Sequence, residues 1–281
     1  MENKETLKRA LEGDINSFQE IFATFQPQLK SYLYRLLANR NDAEDLLHDT
    51  FIRAFDKIGL YKGESSLKTW VFQIGTNLAL NSLKQRKRWP VDASTQAKQL
   101  VRGNEPLAMH LMNVRNTSDK GRFEIREHID TCFTCIGKTL LIENQIALIL
   151  KDIYEFAVKE IAQIIGKSEG VVKYLLQDGR KTMMDVYDQR CALINKEGIC
   201  NQCSELNGWL NPKQNQQEAL NQVNLVKGSA RYNREQLYEL RRVLVKNIDP
   251  LQSEGHVLQE ELLRCSRLAL GEEQDDSLLS S

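Results

Sequence analysis

The stretch KEIAQIIGKSEGVVKYLL, residues 159–176, holds two short helical patterns separated by a glycine. The first pattern repeats apolar side chains at three-and-four spacing and consists of Ile161, Ala162 and Ile165. Gly166 permits a tight turn, and the hydroxyl of Ser168 can cap the helix that follows. The inward face of that second helix is predicted to carry Val172, Leu176, Gly179 and Met183. The stretch therefore predicts a helix-turn-helix.

Helical periodicity also dominates the sequence on both sides of this motif. Only five prolines occur among 281 residues, and the stretches between them show apolar spacing of three and four. Clear stripes run through residues 7–25, 29–36, 47–58 and 67–83. No comparable run alternates with the period of a β-strand. We therefore predict an all-α fold of two small helical domains and a helical C-terminal extension.

Charge and hydropathy narrow the classes of protein to which this chain can belong. The 38 lysines and arginines balance 38 aspartates and glutamates, so net charge alone identifies no nucleic-acid or membrane partner. The chain is charged from its second residue, and its longest apolar run, residues 146–150, is too short to cross a bilayer. We therefore expect neither secretion nor membrane insertion, and a cytoplasmic location.

Two further motifs precede the helix-turn-helix. Residues 42–58 read DAEDLLHDTFIRAFDKI, where Asp42 is expected to cap a helix with an acidic first turn. The buried stripe of that helix is predicted to be Leu47, Phe51, Phe55 and Ile58. Residues 66–88 read SLKTWVFQIGTNLALNSLKQRKR, an apolar helix with a strongly basic end.

Composition shifts predict four segments. The first domain spans residues 1–89 and ends at Trp89 and Pro90. Residues 90–128 have the composition of a connector, and the helix-turn-helix domain spans residues 129–189. Residues 190–281 form a cysteine-containing extension, with helices expected near 215–247 and 251–270 and a disordered acidic tail from Glu272.

The three motifs, in this order, resemble bacterial RNA polymerase sigma factors of the extracytoplasmic-function (ECF) class. The resemblance covers roughly residues 5–89, as region 2 of that family, and residues 130–187, as region 4. It implies that the first domain binds core RNA polymerase and opens promoter DNA at the minus-10 element, while the second reads the minus-35 element. Because the polymerase supplies the chemistry, the resemblance implies no catalytic residue, no metal and no cofactor.

The resemblance assigns the acidic helix to core-polymerase binding, with its charges meeting basic groups of the polymerase. The residues implied in that contact are Asp42, Glu44, Asp45, Asp49, Phe51 and Arg53. An ordinary solvated helix face is the alternative interpretation of the same charges.

The DNA contacts implied by the resemblance fall into two groups. In region 2, cations can hold phosphates while aromatic rings meet unstacked bases, and the loop before the basic helix would receive a flipped base. The implied residues there are Tyr61, Lys62, Ser65, Lys84, Arg86, Lys87 and Arg88. In region 4, the second helix would enter the major groove. Its implied residues are Ser168, Lys173, Tyr174, Gln177, Arg180 and Lys181.

Several positions depart from the family pattern or favour a structural role. Asn81 stands where the family often has an acidic residue, and Leu175 and Asp178 replace its usual basic pair. An extra negative charge facing phosphates would weaken DNA binding. Trp70 is interpreted as a core residue rather than a base-stacking one.

The six cysteines leave three interpretations open. Cys132 with Cys135, and Cys200 with Cys203, form two CxxC pairs whose four thiolates would suit a structural zinc site. The same thiols would also suit an oxidant sensor. Ordinary reduced cysteines are the favoured interpretation, because cysteine is commonly buried and no export signal is present.

Three functions follow for the whole chain. The leading hypothesis is a sigma factor whose partners are core RNA polymerase and promoter DNA, with regulation by an anti-sigma factor or by residues 190–281 of the chain itself. The alternative is a stand-alone DNA-binding regulator that uses residues 157–181 without recruiting polymerase. The third, a zinc or thiol enzyme, is disfavoured because no nucleophile with a nearby base and no nucleotide-binding glycine motif occurs.

Overall fold

The structure is a computed structural model that describes residues 4–84, 86–117, 123–211 and 229–274. Within these ranges the regular elements are helices, with one isolated parallel β-bridge between Cys191 and Cys200. The α-helices are α1 (Lys4–Leu11), α2 (Ile15–Ala23), α3 (Gln26–Leu37), α4 (Arg40–Asp56), α5 (Leu67–Leu83), α6 (Ala93–Gly103), α7 (Glu105–Thr117), α8 (Ile125–Gly137), α9 (Ile142–Leu148), α10 (Val158–Ile165), α11 (Glu169–Arg190), α12 (Gln202–Leu210), α13 (Arg234–Lys246) and α14 (His256–Ala269). A π-helical turn, Ile149–Ile153, follows α9 directly. The predicted all-α fold is confirmed.

The chain divides into two compact units, and each unit is built from two separate stretches of sequence. Unit 1 combines Met1–Lys87 with Ile142–Asp178, and unit 2 combines Arg88–Leu141 with Gly179–Ser281. These divisions do not follow the predicted domain boundaries, because the helix-turn-helix packs with the first domain's helices. The long helix α11 contributes its first half to unit 1 and its second half to unit 2.

Aromatic rings form much of the core of unit 1. Phe51 on α4 lies 5.4 Å from Phe18 and 5.1 Å from Phe22 between ring centroids. A second group joins the two stretches of the unit, since Phe72 on α5 lies 4.9 Å from the ring of Phe156 and 5.4 Å from that of Tyr32. Offset and edge contacts at these distances add stability beyond area burial.

The core of unit 2 joins the predicted connector to the C-terminal extension. Its buried cluster consists of Ala97, Leu107, Leu111, Phe123, Ile125, Ile129, Leu210, Leu237, Leu258 and Cys265. Helix α14 packs against α6, α7 and α8, while α13 packs against α8. The extension is therefore part of a folded core.

The expectation of an irregular connector at residues 90–128 is wrong over much of its length. Helices α6 and α7 occupy residues 93–117. Their buried side chains, Ala97 on α6 and Leu107 and Leu111 on α7, have helical spacing, but polar residues interrupt the pattern and concealed it. Trp89 is also buried, and its indole N–H donates to Glu272 at 2.9 Å within unit 2.

Several predicted helix ends are corrected. Helix α4 begins at Arg40 with Asn39 as its cap, whose side chain accepts from the N–H of Asp42 at 3.2 Å. Asp42 is therefore in the first turn of the helix rather than at its cap. The stripe at residues 7–25 is two helices, because Gly13 has a positive φ of 97° and Asp14 caps α2.

The C-terminal expectations are met in part. Helices α13 and α14 lie inside the ranges predicted as helical, although part of the first range, residues 215–228, lies outside the described residues. The acidic tail is ordered at its start, since Glu273 accepts from Arg264 at 2.8 Å and from Arg267 at 2.7 Å. The remainder of the predicted tail, residues 275–281, lies outside the described part.

Candidate functional site

Helix α4 presents a charged face to solvent. At about 100° per residue, Asp42, Asp45, Asp49 and Arg53 fall on one side of the helix. Asp45, Asp49 and Arg53 are exposed, whereas Asp42 is half-buried. We call these four residues the α4 face. It holds three carboxylates within three turns of helix, so its electrostatic character is acidic.

Two of the residues implied in polymerase binding lie elsewhere on α4. Glu44 projects from another side of the helix, where it pairs with Lys30 at 2.8 Å and Arg40 at 3.3 Å. The hydrogen bond from Lys30 is the largest cause of a lowered Glu44 pKa. Phe51 faces the aromatic core described above. The structure therefore brings together four of the six residues as one surface.

The basic segment after α5 comprises Lys84, Arg86, Lys87 and Arg88. Helix α5 ends at Leu83, so these residues follow the helix rather than forming its last turn as predicted. Lys84 and Lys87 are exposed in unit 1, and Arg88 is exposed at the start of unit 2. Arg86 differs, because its guanidinium pairs with the Asp42 carboxylate at 2.6 Å. Three of the four cations are thus presented to solvent.

The loop before α5 is shaped by local hydrogen bonds. Tyr61 donates its hydroxyl proton to the backbone oxygen of Ser65, and its ring lies 5.6 Å from that of Trp70. Ser66 caps α5 by accepting from the N–H of Thr69 at 3.1 Å. Lys62 is exposed at the tip. Trp70 is half-buried against Tyr61, an arrangement intermediate between a core residue and a free stacking platform.

The helix-turn-helix forms as predicted. Gly166 adopts the left-handed conformation with φ of 66°, and the Ser168 hydroxyl accepts from the N–H of Val171 at 3.3 Å. The four residues predicted to face inward, Val172, Leu176, Gly179 and Met183, are all buried. Those predicted to face outward, Lys173, Tyr174 and Gln177, are all exposed. Further along α11, Lys181 is exposed and Arg180 is half-buried.

The departures from the family pattern in α11 point inward. Leu175 is 7% exposed and packs in unit 1. The carboxylate of Asp178 accepts from the side-chain N–H of Asn144 on α9 at 2.9 Å. The carboxylate is thus turned toward Asn144, although Asp178 lies four residues after Tyr174 and therefore on the same side of the helix. Weaker DNA binding caused by Asp178 stays a prediction.

The helix-turn-helix also contacts the helices of region 2 within unit 1. Thr69 on α5 donates to Glu160 on α10 at 3.0 Å, and Gln73 donates to the backbone oxygen of Gln163 at 3.0 Å. Lys68 lies over the ring of Phe156 at 4.8 Å, where burial lowers its pKa. These contacts could not be predicted from the sequence, because the pattern of each motif is recognisable by itself and does not depend on the other motif.

All six cysteines are free thiols, and among the described residues no group of three or more His, Cys, Asp or Glu side chains is arranged to hold a metal ion. Five of the thiols nevertheless gather in unit 2 near the end of α11: Cys132, Cys135, Cys191, Cys200 and Cys203. Arg190 lies among them and is 2% exposed. Sequence reasoning found the two CxxC pairs but missed Arg190 and Ser94, because neither residue belongs to a recognisable motif.

Comparison with known proteins finds two sigma factor regions in this chain. The family models of Sigma-70 region 2 and Sigma-70 region 4 match residues 21–88 and 138–183. Two ECF RNA polymerase sigma factors are similar over most of the same span: SigG of Mycobacterium tuberculosis, 28% identical over 183 residues, and SigW of Bacillus subtilis, 25% identical over 181 residues. These matches support an ECF-class sigma factor.

The share of each relative that this chain matches differs widely between relatives. It covers 62% of this chain and 49% of SigG, so the chain spans about half the length of that relative, but it covers 94% of SigW. A solved structure of CnrH in complex with the cytosolic domain of CnrY is similar with a TM-score of 0.48 and 16% identity, covering 67% of this chain and 98% of that one. No helix of the described ranges is long and apolar enough to cross a membrane.

Proposed function

We propose that this sigma factor directs promoter-specific transcription initiation by binding core RNA polymerase and promoter DNA, in the cytoplasm and without catalytic activity of its own. The observation that carries the proposal is the presence of both sigma-70 regions in one chain, in order, at residues 21–88 and 138–183. A stand-alone regulator would need the second region alone.

The exposed surfaces support a division of labour between the two regions. On region 2, the α4 face offers carboxylates to a basic partner, and electrostatic complementarity of this kind raises association rates. Lys84, Lys87 and Arg88 offer cations to phosphates. On region 4, Lys173 and Tyr174 are exposed near the N-terminus of α11, the end of a recognition helix that meets base edges.

The experiment that tests this proposal measures two binding reactions with the full chain. Core RNA polymerase is titrated with labelled protein, and the resulting complex is offered a library of double-stranded promoter fragments. The proposal requires binding to core polymerase and enrichment of fragments that share two separated motifs. Binding to duplex DNA with no affinity for core polymerase would instead establish the stand-alone regulator.

We further propose that the extension, from residue 190 onward, modulates polymerase or promoter binding through the folding of unit 2. Leu258 on α14 is fully buried in the core that also contains Leu107 and Leu111 of the connector. Deleting the extension would expose this core, so a point substitution is the sharper test. Leu258→Ala should alter promoter binding by the full chain, whereas Val243→Ala, at an exposed position of α13, should not. Equal binding by both variants and the wild type would contradict the proposal.

A further inference from the structure

The sequence Cys200-Asn-Gln-Cys203 lies at the start of helix α12. Cys200 immediately precedes the cap residue Asn201, and Cys203 is in the first turn. The backbone of Cys200 is fixed by a parallel bridge, in which its N–H donates to the Arg190 oxygen at 2.7 Å and its oxygen accepts from Ala192 at 3.1 Å. A CxxC sequence at a helix start is an arrangement in which a thiol can be held as a thiolate.

The tight loop that brings Cys200 back to the end of α11 depends on one glycine. A Cβ atom on Gly198 would lie 2.6 Å from the Ala192 nitrogen and 2.7 Å from the Arg190 oxygen. These are backbone atoms, which cannot move aside as the end of a side chain can. The loop from Cys191 to Cys200 is therefore built for close approach of its two ends.

A chain of hydrogen bonds connects Cys200 to a buried cation. Arg190 donates from Nη2 to the Ser94 hydroxyl at 2.7 Å, and that hydroxyl donates to the Sγ of Cys200 at 3.4 Å. Arg190 also donates to the Sγ of Cys135, from Nη1 at 3.5 Å and from Nη2 at 3.6 Å, and among the described residues it pairs with no carboxylate. A buried guanidinium without a carboxylate favours a negative charge nearby, and a hydroxyl donor stabilises a thiolate acceptor.

The two cysteines of the pair have different surroundings. Both thiols are partly exposed, but only Cys200 of the pair lines a cavity of about 20 Å³, which has room for roughly one water-sized molecule. Burial raises the pKa of Cys203 well above its ordinary value, and neighbouring thiols raise it further. Cys200 thus accepts a hydrogen bond from the Ser94 hydroxyl and lines the cavity, whereas burial favours the protonated form of Cys203.

We propose that Cys200 and Cys203 form a redox-active dithiol that peroxides oxidise to a disulfide, with Cys200 as the thiol that is attacked first by oxidant. The Cys200 thiolate attacks one oxygen of hydrogen peroxide, the O–O bond breaks, and the departing hydroxide takes a proton to become water. Cys200 is then a sulfenic acid. The sulfur of Cys203 attacks the sulfur of Cys200, the S–O bond breaks, and hydroxide leaves with the Cys203 proton as a second water. The dithiol loses two protons and two electrons, and the peroxide is reduced to two waters.

The test uses the full chain, reduced and then freed of reductant. Stoichiometric hydrogen peroxide should remove two hydrogens from the intact protein, and peptide mapping should locate a Cys200–Cys203 disulfide. Cys203→Ser should stop at the sulfenic acid, which a dimedone adduct reports, and Cys200→Ser should abolish both products. Cys265→Ser, a change to a buried thiol of α14, should leave the reaction unchanged.

The role of the hydrogen-bond chain is tested separately by the rate of thiol alkylation as a function of pH. Ser94→Ala should slow iodoacetamide alkylation of Cys200 at pH 7 by about tenfold, because it removes a donor to the thiolate. Ser266→Ala is the matched control, since Ser266 is a buried serine of the same cavity whose hydroxyl bonds a backbone oxygen instead.

Three results would overturn the proposal. The first is a disulfide from Cys200 to Cys191 or Cys132 in place of Cys203. The second is alkylation of Cys200 no faster than that of buried Cys265. The third is stoichiometric zinc in protein purified without chelator that protects all four CxxC thiols. None of these readouts uses transcription, so their failure leaves the proposed sigma activity untouched.

Discussion

Unit 1 and unit 2 are both helical, but they are held together differently. In unit 1, two family motifs contact each other through aromatic rings such as Phe72 and Phe156. In unit 2, a connector and an extension that belong to no matched family region share an aliphatic core around Leu107 and Leu258. The comparison shows that surfaces proposed for polymerase and DNA concentrate on unit 1, whereas buried thiols and the buried Arg190 concentrate in unit 2.

The largest expected effect breaks the aromatic packing of unit 1. Phe72 is fully buried, so Phe72→Ala should lower the free energy of unfolding of unit 1 by about 3–5 kcal/mol through lost burial and a cavity. Urea denaturation of the full chain, followed by far-UV circular dichroism, measures it. Leu60→Ala, at a position that is 70% exposed, is the control and should change stability little. A loss below about 1 kcal/mol for Phe72→Ala would show that the rings do not join the two stretches.

The second-largest expected effect is a pH dependence of the stability of unit 2, which contains the buried His128. Burial lowers the pKa of His128 to about 4, against 6.5 for the free side chain. The unfolded state therefore binds the proton more readily, so stability present above pH 6.5 is lost as the pH falls toward 4, by roughly 3 kcal/mol. Burial raises the pKa of Glu127 to about 6, which opposes this loss between pH 6 and 4.5. Urea midpoints at pH 6.5, 5.5 and 4.5 measure the balance.

Two variants sharpen that pH prediction. His128→Gln should reverse the dependence of unit 2 stability on pH between pH 6 and 4.5, because only the opposing titration of Glu127 then remains. Glu127→Gln should steepen it, because the opposing group is gone. A loss of stability by His128→Gln as the pH falls from 6 to 4.5 would contradict the burial argument.

A smaller effect tests the basic segment. Lys84→Ala combined with Lys87→Ala should weaken binding to promoter DNA about tenfold and reduce the slope of log affinity against log salt by about 2. The matched control is Lys8→Ala with Arg9→Ala, which removes two exposed charges from α1 of the same unit. Equal losses for the two double variants would show that only total charge matters.

The smallest expected effect tests the α4 face. Asp45→Asn combined with Asp49→Asn should slow association with core polymerase about threefold, since charges at a rim act mainly on the association rate. Glu44→Gln should have less effect, because Glu44 lies off that face and pairs with Lys30. Stopped-flow mixing at low salt measures both rates. A larger effect from Glu44→Gln would place the contact on the other side of α4.

The local elements could be predicted from sequence where a motif is self-contained. Gly166 and Ser168 define the turn and cap of the helix-turn-helix through their own chemistry, and the structure places both accordingly. Asp42 was misplaced as a cap, since Asn39 competes for that role and only the observed backbone decides between them.

The sequence alone could not show interactions between distant stretches. The 2.7 Å hydrogen bond from Arg190 to Ser94 spans 96 positions, and Ser94 lies in a region whose composition resembled a connector. The contact from Thr69 to Glu160 likewise joins two motifs that are complete separately. The sequence shows that Asp178 departs from the family pattern, but only the structure shows that its carboxylate accepts a hydrogen bond from Asn144.

The central claim is that this chain confers promoter-specific initiation on core RNA polymerase. Run-off transcription with bacterial core polymerase and a promoter library tests it most directly, comparing the wild type with Lys84→Ala/Lys87→Ala and with the Lys8→Ala/Arg9→Ala control. We predict specific start sites with the wild type and the control, and strongly reduced starts at the same positions with the Lys84 and Lys87 variant. Duplex DNA binding without any specific start by the wild type would contradict the claim.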